Sequence, residues 1–125
     1  MAGQAAQGLT KTGMRKSRWP RGRLRVDLDQ NLIMRGHVIK VVQPRMAEVM
    51  SVLSENEGSR IVARRLATKV YGARLPEYWP RAISTLITRL RKVIEPMGYE
   101  IESMRALNGA GSGPSYRLLR REEEP

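Results

Sequence analysis

Between Arg81 and Lys92 the chain places five hydrogen-bond donors at helical spacing: Arg81, Thr85, Thr88, Arg89 and Lys92. Laid out at 100° per residue they form one stripe of a helix, and Ile83, Ile87, Leu90 and Ile94 form the opposite stripe. One face is core material. The other carries guanidinium, ammonium and hydroxyl groups, whose shared chemistry is donation to acceptor-rich partners such as phosphate oxygens or base edges. Just upstream, Arg60, Arg64, Arg65, Lys69 and Arg74 add five positive charges with no acid among them. A basic helix face is often only solvated, but two adjoining basic segments argue for a partner.

Bond-making chemistry finds little to work with. The chain has one histidine, His37, and no cysteine, so no Ser/His/Asp or Cys/His set and no thiolate or histidine metal cluster can be assembled. Glu48, Glu55 and Glu57 fall on an expected solvent face, and "GAGSG" sits at an expected hairpin tip rather than between a strand and a helix, unlike a phosphate-binding loop. The reading is of a non-enzyme with no cofactor and no metal. Across 125 residues, 23 Lys and Arg against 12 Asp and Glu give a net charge of +11, which favours nucleic acid or an anionic membrane surface. No segment approaches the apolar length needed to span a bilayer, so a membrane partner is not expected. A soluble protein of the cytoplasm is the expectation, bacterial or phage-encoded and associated with the nucleoid.

The elements that must hold these donors follow from changes in period. Residues 1–23 hold six of the 23 basic residues and no acid, with only Trp19 to bury, and read as an unfolded basic arm. A folded unit is expected over 24–120 and a short charged tail over 121–125. "RLRVDLD" and "NLIMRGHVIKVV" alternate and predict a small antiparallel sheet with His37 at a turn. From Pro44 the period becomes helical, with Met46, Val49, Met50 and Leu53 on the core stripe as far as "NEG", where Gly58 supplies a left-handed turn. A second helix carries Leu66, Ala67, Val70 and Tyr71 as far as Gly72. The third spans 80–95, with Pro80 in its first turn and Pro96 beyond its end. Tyr78 and Trp79 read as packing residues at its start. "YEIESM" and "SYRLL" then alternate about a Gly-rich tip, as a β-hairpin does. The fold class expected is α+β: small sheet, three helices, hairpin.

The strings "VVQPRMAEVMSVLSENEG", "RRLATKVYG" and above all "RAISTLITRLRKVIEP" resemble the winged helix-turn-helix effector domains of the OmpR/PhoB type, over roughly Leu24 to Leu119. The resemblance implies double-stranded DNA as partner. It places Arg89 at base edges in the major groove with Thr85 and Leu86 nearby, and Arg81, Thr88 and Arg91 at or near the DNA backbone. Lys92 joins them from the donor stripe, and Arg64, Arg65 and Lys69 from the basic face of the second helix. Ser103 matches a wing hydroxyl that meets phosphate, and Arg105 the wing arginine that enters the minor groove. Four departures stand out. The wing "RALNGAGSGPSY" is longer than the family's short turn, and Ala63 stands where Ser or Thr is favoured. Thr88 replaces an arginine of some members, and 125 residues leave no room for a fused receiver domain, so a standalone effector is expected.

Two readings stay open. In the first the chain is a sequence-specific DNA-binding transcription regulator. In the second it uses the same fold as a protein-interaction module that grips RNA polymerase or another transcription component. RNA ranks third, since an A-form duplex hides the groove this helix would read. The resemblance also implies that the loop with Leu75, Glu77 and Tyr78 can contact RNA polymerase. Family members often bind direct repeats as tandem dimers, which makes a homodimer on DNA an open possibility.

Overall fold

The computed structural model of the chain describes residues 19–105 and 114–121. Arm residues 1–18, wing-tip residues 106–113 and tail residues 122–125 lie outside them. Three short strands, β1 (Arg25–Asp27), β2 (Leu32–Arg35) and β3 (Val38–Val41), form an antiparallel sheet in the order β1-β2-β3. The β2–β3 turn is the two-residue Gly36-His37, with Gly36 at φ +59°, as the "RGH" signal predicts. Three helices follow: α1 (Pro44–Glu55), α2 (Ala63–Tyr71) and α3 (Trp79–Ile94). A 3-10 turn, Glu95–Met97, leads into the hairpin strands, Tyr99–Met104 and Ser115–Arg120.

The apolar stripes of the sequence are the core. Met46, Val49, Met50 and Leu53 of α1 and Ile83, Ile87, Leu90 and Ile94 of α3 are all buried, packed with Leu66, Ala67, Ile101 and Leu118. Apolar residues recurring every three or four positions gather on one side of each helix, and three such sides close a common interior.

The hairpin is not alone. A two-residue strand, β4 (Ile61–Val62), precedes α2 and pairs with Tyr116 and Ser115. With the hairpin strands β5 (Tyr99–Met104) and β6 (Ser115–Arg120) it forms a second sheet in the order β4-β6-β5. This pairing also settles how α2 begins. No side chain caps it, but the Ala63 N–H at its first position donates to the Pro114 carbonyl at 2.8 Å, so the hairpin satisfies one of the free donors at the start of the helix.

Residues 19–23, part of the arm by composition, lie against the fold. The Trp19 ring covers Gly98 so closely that a Cβ there would run into it, and Gly98 sits at φ +82°. The Arg121 guanidinium stands 5.9 Å from the Trp19 ring, and Arg23 donates to the Ser54 carbonyl. The large apolar indole leaves water by packing onto the bare glycine backbone.

Candidate nucleic-acid interface

From Arg60 to Lys92 the chain carries nine Lys and Arg and a single acid, Glu77. The structure sorts the basic residues by partner. Arg23 and Arg120 reach Glu57, Arg60 and Arg117 reach Glu102, Arg45 reaches Glu48, and Arg121 reaches Glu100. No ion pair among the described residues involves Arg64, Arg65, Lys69, Arg81, Arg89, Lys92 or Arg105, and all seven are exposed. Glu48, Glu57, Glu100 and Glu102 are thus engaged elsewhere, and among the described residues no carboxylate compensates the exposed faces of α2 and α3.

On α3, Arg81, Thr85, Thr88, Arg89 and Lys92 are exposed, as the stripe requires. Thr88 is not a free donor: its hydroxyl donates to the Ser84 carbonyl one turn back at 3.0 Å, leaving its lone pairs outward. The Arg89 Nη1 lies 3.4 Å from the Gln43 side-chain oxygen at the start of α1, a neutral and long contact. Nothing local to Gln43 in the sequence signals this proximity, which spans 46 residues.

Leu86 needs correction. It is only 7% exposed and belongs to the core, because its wheel position flanks the Ile83–Leu90 stripe, so it has no surface to offer a base edge. Arg91 is also repositioned. It is half-buried and turned toward the hairpin, its Nε donating to the Ile101 carbonyl at 3.1 Å. Ser84, Arg91, Ser103, Arg105, Pro114 and Tyr116 line a cleft of about 410 Å³ between α3 and the hairpin, so Arg91 meets the two hairpin candidates there. Burial pushes the Tyr116 phenol above its ordinary range, with Arg91 partly opposing, so the hydroxyl stays protonated at neutral pH.

The loop between α2 and α3 divides its candidates. Tyr78 is 64% exposed and Glu77 is exposed, whereas Leu75 is half-buried against the core, as is Trp79. Leu75 thus serves packing, and two of the three residues remain presented.

A search against protein-family models finds no match, and neither does a search of curated proteins. Among solved structures, the DNA-binding domain of CadC from E. coli superposes on 78% of this chain and 86% of its own, with a TM-score of 0.54 and 18% sequence identity. The chain has a winged helix-turn-helix fold. In these terms α2 and α3 with their loop are the helix-turn-helix, and β5–β6 is the wing. Arg105 lies at the last described position before the wing tip, and Ser103 near the end of β5 is exposed. Among the described residues no helix is long and apolar enough to cross a membrane.

One buried charge stands outside the sequence-based expectations. Arg35 is 6% exposed, donating from Nε to the Gly22 carbonyl at 2.8 Å and from Nη1 to the Met97 carbonyl at 2.6 Å. Its signal lies in the period: Ile33 and Arg35 are two apart on one strand and therefore share the core face.

Proposed function

We propose that the chain is a DNA-binding transcription regulator in which α3 lies in the major groove, α2 and residues 1–18 meet phosphates, and the wing reaches the neighbouring minor groove. The observation that carries this reading is the set of exposed cations on α2 and α3 without a carboxylate partner among the described residues, where four glutamates are committed to other arginines. A duplex supplies what that face lacks. Rows of phosphate attract its cations and release condensed counterions, and the groove floor offers acceptors to the donors of α3.

Within this reading Arg89 pairs with a guanine edge, Thr85 stands beside it, and Arg81, Thr88, Lys92, Arg64, Arg65 and Lys69 meet phosphates. Ser103 meets phosphate and Arg105 enters the minor groove. Arg91 acts from behind, by joining α3 to the Ile101 carbonyl of the wing. Exposed Glu77 and Tyr78 would present the inter-helix loop to RNA polymerase, and two copies would bind a direct repeat in tandem.

Selection of bound duplexes from a random pool at near-physiological salt tests the proposal. Recovery of a shared motif is expected. A chain that retains no duplex at that salt, or retains all sequences alike, would remove sequence-specific regulation and leave the protein-interaction reading.

A further inference from the structure

Among the described residues strand β3 is an open edge of the N-terminal sheet, and its ladder pattern fixes which groups it leaves unused there. Val42 donates to the Asn31 carbonyl at 2.9 Å, so Val42 and Asn31 form a hydrogen-bonded pair. By alternation Lys40 and Val38 are bonded to β2 as well, opposite Ile33 and Arg35. Ile39 and Val41 then direct their main-chain N–H and C=O groups away from the sheet. Their side chains share the outer face with Met34 and Leu32, and they are 56% and 77% exposed. Beside the end of β3, Val41, Val42, Met46 and Val93 line a cleft of about 540 Å³, with Gln43 and Arg89 also bordering it.

We infer that this edge is a docking site for an extended segment of a partner protein in which apolar and acidic residues alternate, added as a fourth strand beside β3. Apolar side chains on the outer face would cover Ile39 and Val41, which lie exposed without them. On the inner face the added strand would run past Lys40 and toward Arg89, neither of which has a carboxylate partner among the described residues, so acidic side chains fit there. Asp27, the acid of the same sheet, lies two strands away on β1, and its Oδ1 accepts from the turn N–H groups of Asp29 and Gln30. Charge also selects against the occupant that an open edge most readily finds. A second copy pairing β3 to β3 would bring Lys40 against Lys40 within a molecule of net charge +11. Docking at this edge does not require DNA, but an acidic side chain and a duplex would compete for Arg89.

The probe is a fluorescein-labelled octapeptide alternating Val and Glu, with an alternating Val–Lys peptide and a Val–Glu peptide N-methylated at every second residue as controls. Binding to the full chain is followed by anisotropy, and amide exchange is read residue by residue. The Val–Glu peptide is expected to bind and to slow exchange at Ile39 and Val41, with both controls weaker by about tenfold or more. Val41→Pro, which removes an outward N–H and no bond to β2, should weaken the Val–Glu peptide similarly. Equal binding of the Val–Lys or N-methylated peptide, failure of the Val–Glu peptide to bind, or protection at other amides would overturn the inference. So would protection of Ile39 and Val41 that grows with protein concentration alone, which would assign the edge to a second copy.

Discussion

Arg35 and Tyr99, on opposite sheets, stack with the guanidinium carbon 4.9 Å from the ring centroid. The ring is shared with Arg120 at 5.6 Å, and the Tyr99 hydroxyl accepts from the Leu24 N–H at 3.2 Å and donates to Glu57 at 3.3 Å. Arg35 reaches past the ring to the Met97 carbonyl, in the turn that ends α3. A cation there meets the negative end of the helix and the carbonyl of fully buried Met97, which would otherwise lack a partner.

This arrangement makes Arg35 the fastener between the N-terminal sheet and the C-terminal end of α3. Arg35→Met preserves much of the apolar stem but strands the buried Met97 carbonyl and leaves that of exposed Gly22 to water. The expected destabilisation is about 2–3 kcal/mol, the scale of losing hydrogen bonds to a charged group. Thermal unfolding should then fall by roughly 10–20 °C for a domain of this size. A melting point within a few degrees of the parent would show that water replaces the guanidinium.

Helices are legible in this sequence because each core stripe is a local pattern. Met46 to Leu53 and Ile83 to Ile94 announce their buried faces within a few turns. What stays hidden depends on distant chain. Ile61 and Val62 are a strand only because Ser115 and Tyr116 come to lie beside them, and Ala63 begins a helix uncapped only because Pro114 is there to accept. Trp19 reads as part of a polar arm until Gly98 is seen beneath it. In the candidate site the donor stripe of α3 is legible for the same local reason. Leu86 is misplaced by the resemblance because a resemblance carries positions, whereas burial depends on how this helix is rotated against its own neighbours.

Arg89 is touched by a neutral amide rather than held by a carboxylate, so turning it into a groove breaks no ion pair. Arg89→Ala is expected to weaken binding to the selected duplex by about 1–3 kcal/mol while leaving random duplex nearly unchanged. Titrations of both duplexes by anisotropy decide it. Equal weakening on the two would reduce Arg89 to a phosphate-binding role.

Two truncations should separate the arm from the fold. Removing residues 1–18 leaves the Trp19 packing on Gly98 intact, so the melting temperature should hold. The salt dependence of DNA binding should flatten, by about 0.9 in slope for each phosphate that the arm no longer neutralises. Removing residues 1–23 also takes away Trp19, the Gly22 carbonyl that Arg35 donates to, and the Arg23 bond to Ser54. Only this second truncation should lower the melting temperature. Equal melting of the two would mean that Trp19 merely rests on the surface.

Arg105 precedes a wing tip, residues 106–113, that is longer than a tight hairpin turn, and its contribution should depend on the flank it meets. Arg105→Ala is expected to weaken binding most on duplexes with an A·T-rich flank, where the minor groove is narrow and its negative potential deepest. A weakening independent of flank composition, in titrations of duplexes that differ only there, would direct the wing elsewhere.

The inter-helix loop is where DNA occupancy could become a transcriptional effect. Pro76 and Pro80 restrict its backbone, and the Pro76 carbonyl accepts the Trp79 N–H at 3.0 Å, so the turn into α3 is fixed and Tyr78 is held outward at 64% exposure. Leu75 packs inward and is left unchanged, since altering it would confuse stability with contact. The double variant Glu77→Ala, Tyr78→Ala removes an exposed acid and an exposed aromatic, the pairing of charge and ring that suits a protein contact. Neither residue lies on the donor stripe of α3, so affinity for the selected duplex should stay within about threefold of the parent, under about 1 kcal/mol. Transcription from a template bearing the selected site, with purified polymerase, should lose its response to the protein. If output instead follows occupancy in the variant as in the parent, the loop is only a connector, and the protein acts by excluding polymerase from the DNA it covers.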